Sequence, residues 1–197
     1  MIHPVLKFLV EQMNFYIDQV KKPDIDVVSP VAILQSIVRL DDETLKKTNN
    51  ILICLVNFSE EATMKNNQNH TILNNDMVAY RNPPVNLNLF ILVTACMTNY
   101  ENALIYLSHA ITFFQGKYSF TLKNSVTQVD GLPDDFHIIL DLYTLSFEQL
   151  NYLWSTLGGK QHPFVCYKVR LLQIERASTT ETRGIIKQVR IEEPGKG

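Results

Sequence analysis

Apolar residues recur along the chain at two spacings, three to four residues apart in some segments and two apart in others. The wider spacing predicts helices over residues 2–20, 99–115 and 146–157. Alternation and short apolar runs predict strands, which cover residues 25–40, 51–58, 77–81, 85–96, 118–122, 136–145, 163–175 and, more weakly, 184–191. Helices interleaved with strands predict an α/β (α+β) fold, with a mixed β-sheet flanked by helices.

Two segments are less regular. Residues 25–40 suit either a strand or a short helix that begins near Ser29 and Pro30, and we favour the strand. Residues 59–76 are polar and rich in asparagine, which is typical of turns, so we expect a long excursion made of an extension of the preceding strand and a mobile loop.

The ends of two predicted helices carry their own signals. Thr98 with Glu101, and Ser146 with Gln149, have the spacing of a capping box, in which each side chain bonds to the other residue's backbone amide. Glycines follow at the positions where helices stop, and these are Gly116, Gly158 and Gly159. Both helices are therefore predicted with defined starts and ends.

The strand predicted at residues 85–96 changes character along its length. One face, from Val85 through every second residue to Ala95, is apolar throughout and is predicted to be buried. The other face begins with Asn86 and Asn88 and then becomes apolar. From the residue pattern, the simplest interpretation is that the two amides are solvated.

Size and charge add two expectations. The chain has 197 residues, 46% apolar and 19% charged, which suits one domain; we place it at residues 1–176, with a strand and a flexible polar tail at 177–197. The net charge of -2 is unevenly placed: residues 24–76 hold eight acids and four bases, and residues 160–190 hold seven bases and two acids. Segregated charge suits contacts between copies or with another protein, although solvated faces would give the same pattern.

No residue pattern indicates catalysis. The five histidines have no second ligand at metal-site spacing, no glycine loop suits a phosphate, and the paired acids at 41–42 and 134–135 are typical of solvated turns. Cys54, Cys96 and Cys166 lie in apolar runs and are expected to be buried thiols. We therefore predict a protein that is not an enzyme and that needs no metal or cofactor.

The aromatic residues have structural interpretations. Trp154 shares a helical stripe with leucines and is predicted to be core, whereas Tyr143, Tyr152 and Tyr167 are candidates for partly exposed contact positions. The odd cysteine count suits synthesis in a reducing cytoplasm, and neither a signal peptide nor a membrane-spanning run is apparent. Interleaving of basic with apolar residues argues against nucleic acid as a partner.

Two blocks carry a family resemblance. NPPVNLNLFILVTACMTNYENALIYLSHAITFFQGK at 82–117 and LSFEQLNYLWSTLGGKQHPFVCYKVRLLQIE at 145–175 resemble the N-terminal domain of the cap, or tail-terminator, proteins of extracellular contractile injection systems, which are phage-tail-like particles. The first helix and the segment ILICLVNFSEE at 51–61 fit the same pattern. Residues 25–48 and 63–76 match less clearly, and residues 177–197 hardly at all.

The resemblance implies a structural role with no catalytic residues. Such caps form a ring, expected to have six copies, that binds the last layers of inner tube and contractile sheath and stops their polymerisation. The particle would assemble in the cytoplasm and then be released or anchored. A baseplate- or sheath-associated adaptor, or a small ligand-binding domain or hydrolase with a dispersed site, are the alternatives.

A ring subunit must offer surfaces to its neighbours, and a strand at the edge of a sheet can be extended by a partner's arm. The strand at 163–175 is our candidate for the edge or its neighbour; an internal strand with basic ends is the other interpretation. The candidate assembly interface consists of Arg81, Asn86, Asn88, Tyr167, Lys168 and Arg170. For Asn86 and Asn88 the resemblance implies a second interpretation, in which the two amides meet a ring neighbour or a tube subunit through hydrogen bonds.

Overall fold

The computed structural model describes residues 1–20, 29–61, 70–73, 77–80, 82, 84–127, 129–174 and 181–184. Its helices are α1 (Ile2–Val20), α2 (Asp42–Lys47), α3 (Tyr100–Gly116) and α4 (Phe147–Thr156). Its strands are β1 (Ala32–Leu34), β2 (Asn50–Glu60), β3 (His70–Leu73), β4 (Met77–Tyr80), β5 (Val85–Cys96), β6 (Ser119–Thr121), β7 (His137–Leu142), β8 (Phe164–Ile174) and β9 (Glu181–Gly184). The predicted α+β class, a mixed sheet with flanking helices, is confirmed.

Contacts divide the chain into two compact units, Met1–Glu60 with Leu87–Leu172, and Glu61–Asn86 with Gln173–Gly197. The first unit contains a six-stranded sheet in the order β1-β2-β5-β8-β7-β6. β1 is parallel to β2, whereas β2 with β5, β6 with β7, and β7 with β8 are antiparallel. The second unit contains an antiparallel sheet in the order β3-β4-β9.

One face of the six-stranded sheet packs against α1 and α3. Phe8 of α1 contacts Phe120 of β6 and Phe136, with ring centroids 6.0 and 5.2 Å apart. From α3, Phe114 packs on Tyr167 of β8 at 4.7 Å. Because side chains alternate along a strand, Tyr167 and its odd-numbered neighbours on β8 share this face.

The opposite face packs against α4. Its core is a cluster of buried side chains from four elements and the segment before α2, namely Ile37, Leu52, Cys54, Leu92, Cys96, Trp154 and Cys166. Trp154 is 3% exposed and packs edge-on against Phe164, with the ring centroids 5.3 Å apart. The predicted core role of Trp154 and the predicted burial of the three cysteines are confirmed.

Helix ends follow local side-chain chemistry. The capping box predicted at Ser146 and Gln149 is present, and positive φ angles of 104° and 79° at Gly158 and Gly159 end α4 as predicted. The box predicted at Thr98 is wrong: Asn99 caps α3, because the Thr98 hydroxyl and amide bond to Asn49 instead, at 2.5 and 2.7 Å.

Two segments differ from the prediction. The described residues 29–40 contain the short strand β1 and then a 3-10 turn at Ile37–Arg39, whereas residues 21–28 lie outside the described part. Helix α2 was not predicted. Its N-cap is Asp41, whose carboxylate accepts a hydrogen bond from the Thr44 amide at 2.9 Å, so an acid predicted to be a solvated turn residue caps a helix.

The strand at residues 163–175 is not at an edge. β8 lies between β5 and β7, neither of which is an edge strand, so the prediction of an edge or its neighbour is wrong and the internal-strand interpretation is correct. The edges are β1 and β6, each three residues long. In the C-terminal part, the described strand is β9, and residues 185–197 lie outside the described ranges, so the boundary near residue 176 stays a prediction.

Candidate assembly surface

The predicted interface residues occupy two faces of the six-stranded sheet. Lys168 and Arg170 lie half-buried on the α4 face of β8, and the Arg170 guanidinium forms an ion pair with Asp141 of β7. Tyr167 lies on the opposite face and is 4% exposed, so its predicted partial exposure is wrong. Burial raises the pKa of Tyr167 to about 12. Arg81 lies outside the described residues.

Asn86 and Asn88 of β5 are both buried. Both interpretations from the sequence expected exposed amides, yet Asn86 and Asn88 are 8% and 3% exposed, so that expectation is wrong. The reason is position: β5 is an internal strand, and side chains there are flanked by those of β2 and β8. The opposite face is buried from Leu87 to Ala95 as predicted, although Val85 at its start is exposed. A role of these amides in assembly stays a prediction.

Exposed large apolar side chains lie on α3, on α4 and elsewhere, and α4 is the helix that covers the sheet face carrying Lys168 and Arg170. Phe147 is 92% exposed and Tyr152 65%. Leu142, at the end of β7, is 61% exposed, but it pairs with Tyr167 and therefore lies on the α1 and α3 face of the sheet.

The Tyr152 hydroxyl donates to the Glu148 carboxylate at 3.4 Å, one turn earlier on the helix. Trp154 anchors the inner face of α4, so Tyr152, two residues earlier, lies on the outer side. Phe147 is exposed in the first turn of the helix, directly after the cap residue Ser146. We call Phe147 and Tyr152 the α4 surface.

A groove of about 420 Å³ runs beside this surface, between α4 and the sheet. Its lining comes from β2, β5, β8, α4 and the segment after β7, and includes Val56, Phe90, Tyr143, Leu145, Leu153 and Cys166. Phe90 and Tyr143 meet edge-on with ring centroids 4.9 Å apart. The predicted exposure of Tyr143 and Tyr152 is confirmed, whereas nothing in the sequence pattern identified Phe147 or Leu142 as surface residues.

A second hollow of about 430 Å³ lies at the start of α3 and includes Tyr100, Leu104 and His162. Burial, together with the charge of Lys160, lowers the pKa of His162. A neutral imidazole beside exposed Tyr100 and Leu104 makes this hollow a mainly uncharged surface.

The described residues offer little chemistry. They contain no group of three His, Cys, Asp or Glu residues able to hold a metal ion, and burial raises the pKa of Cys96 to about 12 and that of Cys166 to about 11, so both thiols are protonated near neutral pH. Ser119 and His137 are 3.0 Å apart across β6 and β7, but this exposed pair lies in neither hollow. Among the described helices, none is long and apolar enough to cross a membrane.

Together, the layered sheet and the exposed apolar side chains define an α+β domain suited to contacts with other proteins. The chain belongs to the Pvc16 N-terminal domain family, whose model matches residues 5–188. The predicted resemblance to the cap family is confirmed.

Two solved structures have the same fold. One is the sheath/tube terminator, in the extended state, of an extracellular contractile injection system called PVC; its TM-score is 0.63 at 13% identity, over 100% of this chain and 64% of that one. The other is the tube-terminating cap of the anti-feeding prophage, with TM-score 0.63 and 13% identity over 96% of this chain and 60% of that one. The chain thus spans less than two thirds of the length of either. A search of curated proteins gives no significant match.

Proposed function

We propose that this chain is a structural, non-enzymatic domain of a cap that terminates the tube and sheath of a contractile injection particle. The observation that carries the proposal is the match of the whole chain to a sheath/tube terminator. The second match, a tube-terminating cap, agrees with it. In this role the chain forms a ring, which we place at six copies, and binds the last layers of inner tube and sheath. The particle assembles in the bacterial cytoplasm before it is released or anchored.

The surface properties support this role. A ring subunit needs two different surfaces that fit one another, because each copy meets its two neighbours through opposite sides. The α4 surface supplies exposed apolar area of the kind enriched at the centres of protein interfaces. Lys168 and Arg170 supply positive charge on the same sheet face. We propose that the α4 surface contacts a neighbouring cap subunit, with Lys168 and Arg170 beside the contact.

The experiment is assembly of particles with and without this chain. Without it, tubes and sheaths should be overlong or variable in length by electron microscopy, and wild-type protein should restore a uniform length. Native mass spectrometry of the purified chain should show a ring near six copies. Closed particles of normal length without the chain would refute the cap function, and imaging that places it at the baseplate end would favour the adaptor alternative.

The α4 surface can be tested separately. Phe147→Ala combined with Tyr152→Ala should leave the chain folded, since both side chains are exposed, but should reduce ring formation at least tenfold. Tyr118→Ala is the matched control, because Tyr118 is 60% exposed and lies outside the α4 surface. If the double variant forms rings as well as the control, the α4 surface is not a ring contact.

A further inference from the structure

The outer side of β1 is bonded to a side chain of its own protein. The Val31 carbonyl accepts a hydrogen bond from the Ile51 amide of β2 at 2.7 Å, and the Gln35 amide donates to the Ile53 carbonyl of β2 at 3.2 Å. Since alternate residues of a strand point their peptide groups in opposite directions, the amide and carbonyl of Ala32 point away from β2. Asn14 of α1 forms hydrogen bonds with both groups: the Ala32 amide donates to Asn14 Oδ1 at 2.7 Å, and Asn14 Nδ2 donates to the Ala32 carbonyl at 2.8 Å. At Ala32, one side chain therefore makes the two bonds that a neighbouring strand would make.

The other edge, β6, has the same arrangement. The Tyr118 carbonyl accepts a bond from β7 at 2.8 Å, so Ser119 and Thr121 face outward. Asn124 lies in the turn after β6, where its Nδ2 donates to the Ser119 carbonyl at 3.0 Å and its Oδ1 accepts from the Thr121 amide at 2.9 Å. The Ser125 hydroxyl donates to the Thr121 carbonyl. Side chains of the chain itself therefore bond three of these outward groups, which are the Ser119 carbonyl and the Thr121 amide and carbonyl.

A third asparagine lies where β2 continues beyond β1, which pairs only with Ile51, Leu52 and Ile53. The Glu61 amide donates to the Asn86 carbonyl on β5 at 2.8 Å. Alternation then directs the Phe58 amide away from β5. That amide donates to the Oδ1 of Asn57 at 2.9 Å. The outward-pointing Phe58 amide on this part of the sheet margin is thus also hydrogen-bonded within the chain.

Outward peptide groups on an edge strand are a template for a strand of another molecule. A side-chain amide carries both an acceptor and donors, so it can replace such a strand locally. We propose that Asn14, Asn57 and Asn124 close the margins of the six-stranded sheet against strand addition by a second copy of this chain. Copies then meet through side-chain surfaces. The proposal concerns the chain in solution and stands whether or not the cap function is correct.

Amide hydrogen exchange tests the bonds one at a time. In the wild type, the amides of Ala32, Phe58 and Thr121 should exchange more slowly than unstructured amides. Asn14→Ala should speed exchange at Ala32 alone, Asn57→Ala at Phe58 alone, and Asn124→Ala at Thr121 alone, each roughly threefold to tenfold, as expected for loss of one net hydrogen bond. Unprotected amides in the wild type would overturn the proposal.

Self-association tests the consequence. Asn57→Ala with Asn124→Ala should add a concentration-dependent species in sedimentation velocity that the wild type lacks, because two margins become available to another copy. Asn151→Ala removes an exposed amide from α4 and is the matched control. The double variant changes only exposed segments, so it stays informative if Asn14→Ala, which unties α1 from β1, fails to fold. A folded double variant that sediments like the control would refute the proposal.

Discussion

The Arg170 guanidinium on β8 pairs with the Asp141 carboxylate on β7 along a diagonal of the sheet. Strand register places Asp141 directly opposite Lys168, and Arg170 opposite Ile139. Asp141 therefore has two cations on the same sheet face, one opposite and one diagonal, which is within reach of a long side chain. The two paired side chains are 39% and 45% exposed, so water screens their attraction.

This exposure limits the stability that the pair contributes. A double-mutant cycle with Arg170→Ala and Asp141→Ala should give a coupling of about 0.2–1 kcal/mol in urea denaturation, as for other exposed pairs. Molar salt should reduce it further. The i,i+4 pair of Lys7 and Glu11, 3.9 Å apart on α1, is a control of the same class. A coupling above about 2 kcal/mol, which exceeds this exposed-pair range, would mean that the ion pair is desolvated.

Trp154 should be the most costly side chain to remove from α4. It is buried among Leu52, Leu92 and Cys166, and contacts Phe164, so Trp154→Ala leaves a cavity and should lower the free energy of unfolding by about 3–5 kcal/mol. Tyr152→Ala, on the exposed side of the same helix, should change it by less than about 0.5 kcal/mol. Equal effects of the two variants in urea denaturation would contradict the assigned faces of α4.

The start of α4 should depend on one hydroxyl. Ser146 Oγ accepts from the Gln149 amide at 3.2 Å, and the Gln149 side chain accepts from the Ser146 amide at 3.0 Å. Ser146→Ala removes the first bond and should cost about 0.5–2 kcal/mol of stability. Ser155→Ala, near the other end of the helix, is the control and should have little effect. If both serines behave alike, the capping box does not stabilise α4 in solution.

Local signals in the sequence predicted most elements, because they act within a few residues. The alternation at 85–96 and the box at Ser146 were sufficient for β5 and α4. Helix α2 escaped prediction since it has only six residues and little apolar periodicity, although Asp41 followed by Thr44 is a recognisable cap signal. At Thr98 the local pattern failed because a partner distant in sequence, Asn49, took the hydroxyl.

The candidate surface depended on topology, which the sequence pattern does not contain. Whether β8 is central or at an edge is decided by which strands flank it. The sequence therefore identified Lys168 and Arg170 as candidates but did not predict their position in the sheet. Asn86 and Asn88 have the composition of a solvated face, yet an internal strand buries them. In contrast, the bonds that Asn14 and Asn124 make to edge strands can be recognised only once β1 and β6 are identified as the outermost strands.

The buried thiols should make the fold sensitive to alkaline pH. Burial, and secondarily the proximity of Cys54, raises the pKa of Cys96 from 9.0 to about 12 in the folded chain. Between these values the unfolded chain loses the thiol proton while the folded chain keeps it, so stability is intact below pH 9 and falls as the pH rises toward 12. Urea denaturation from pH 7 to 11 should show this decline, with a shallower slope in Cys96→Ala than in the wild type. A thiol reagent at pH 8 should modify Cys96 far faster in urea than in the folded protein. If the pH slopes of the wild type and Cys96→Ala are equal and the folded protein is also modified rapidly at Cys96, the Cys96 thiol is accessible to solvent.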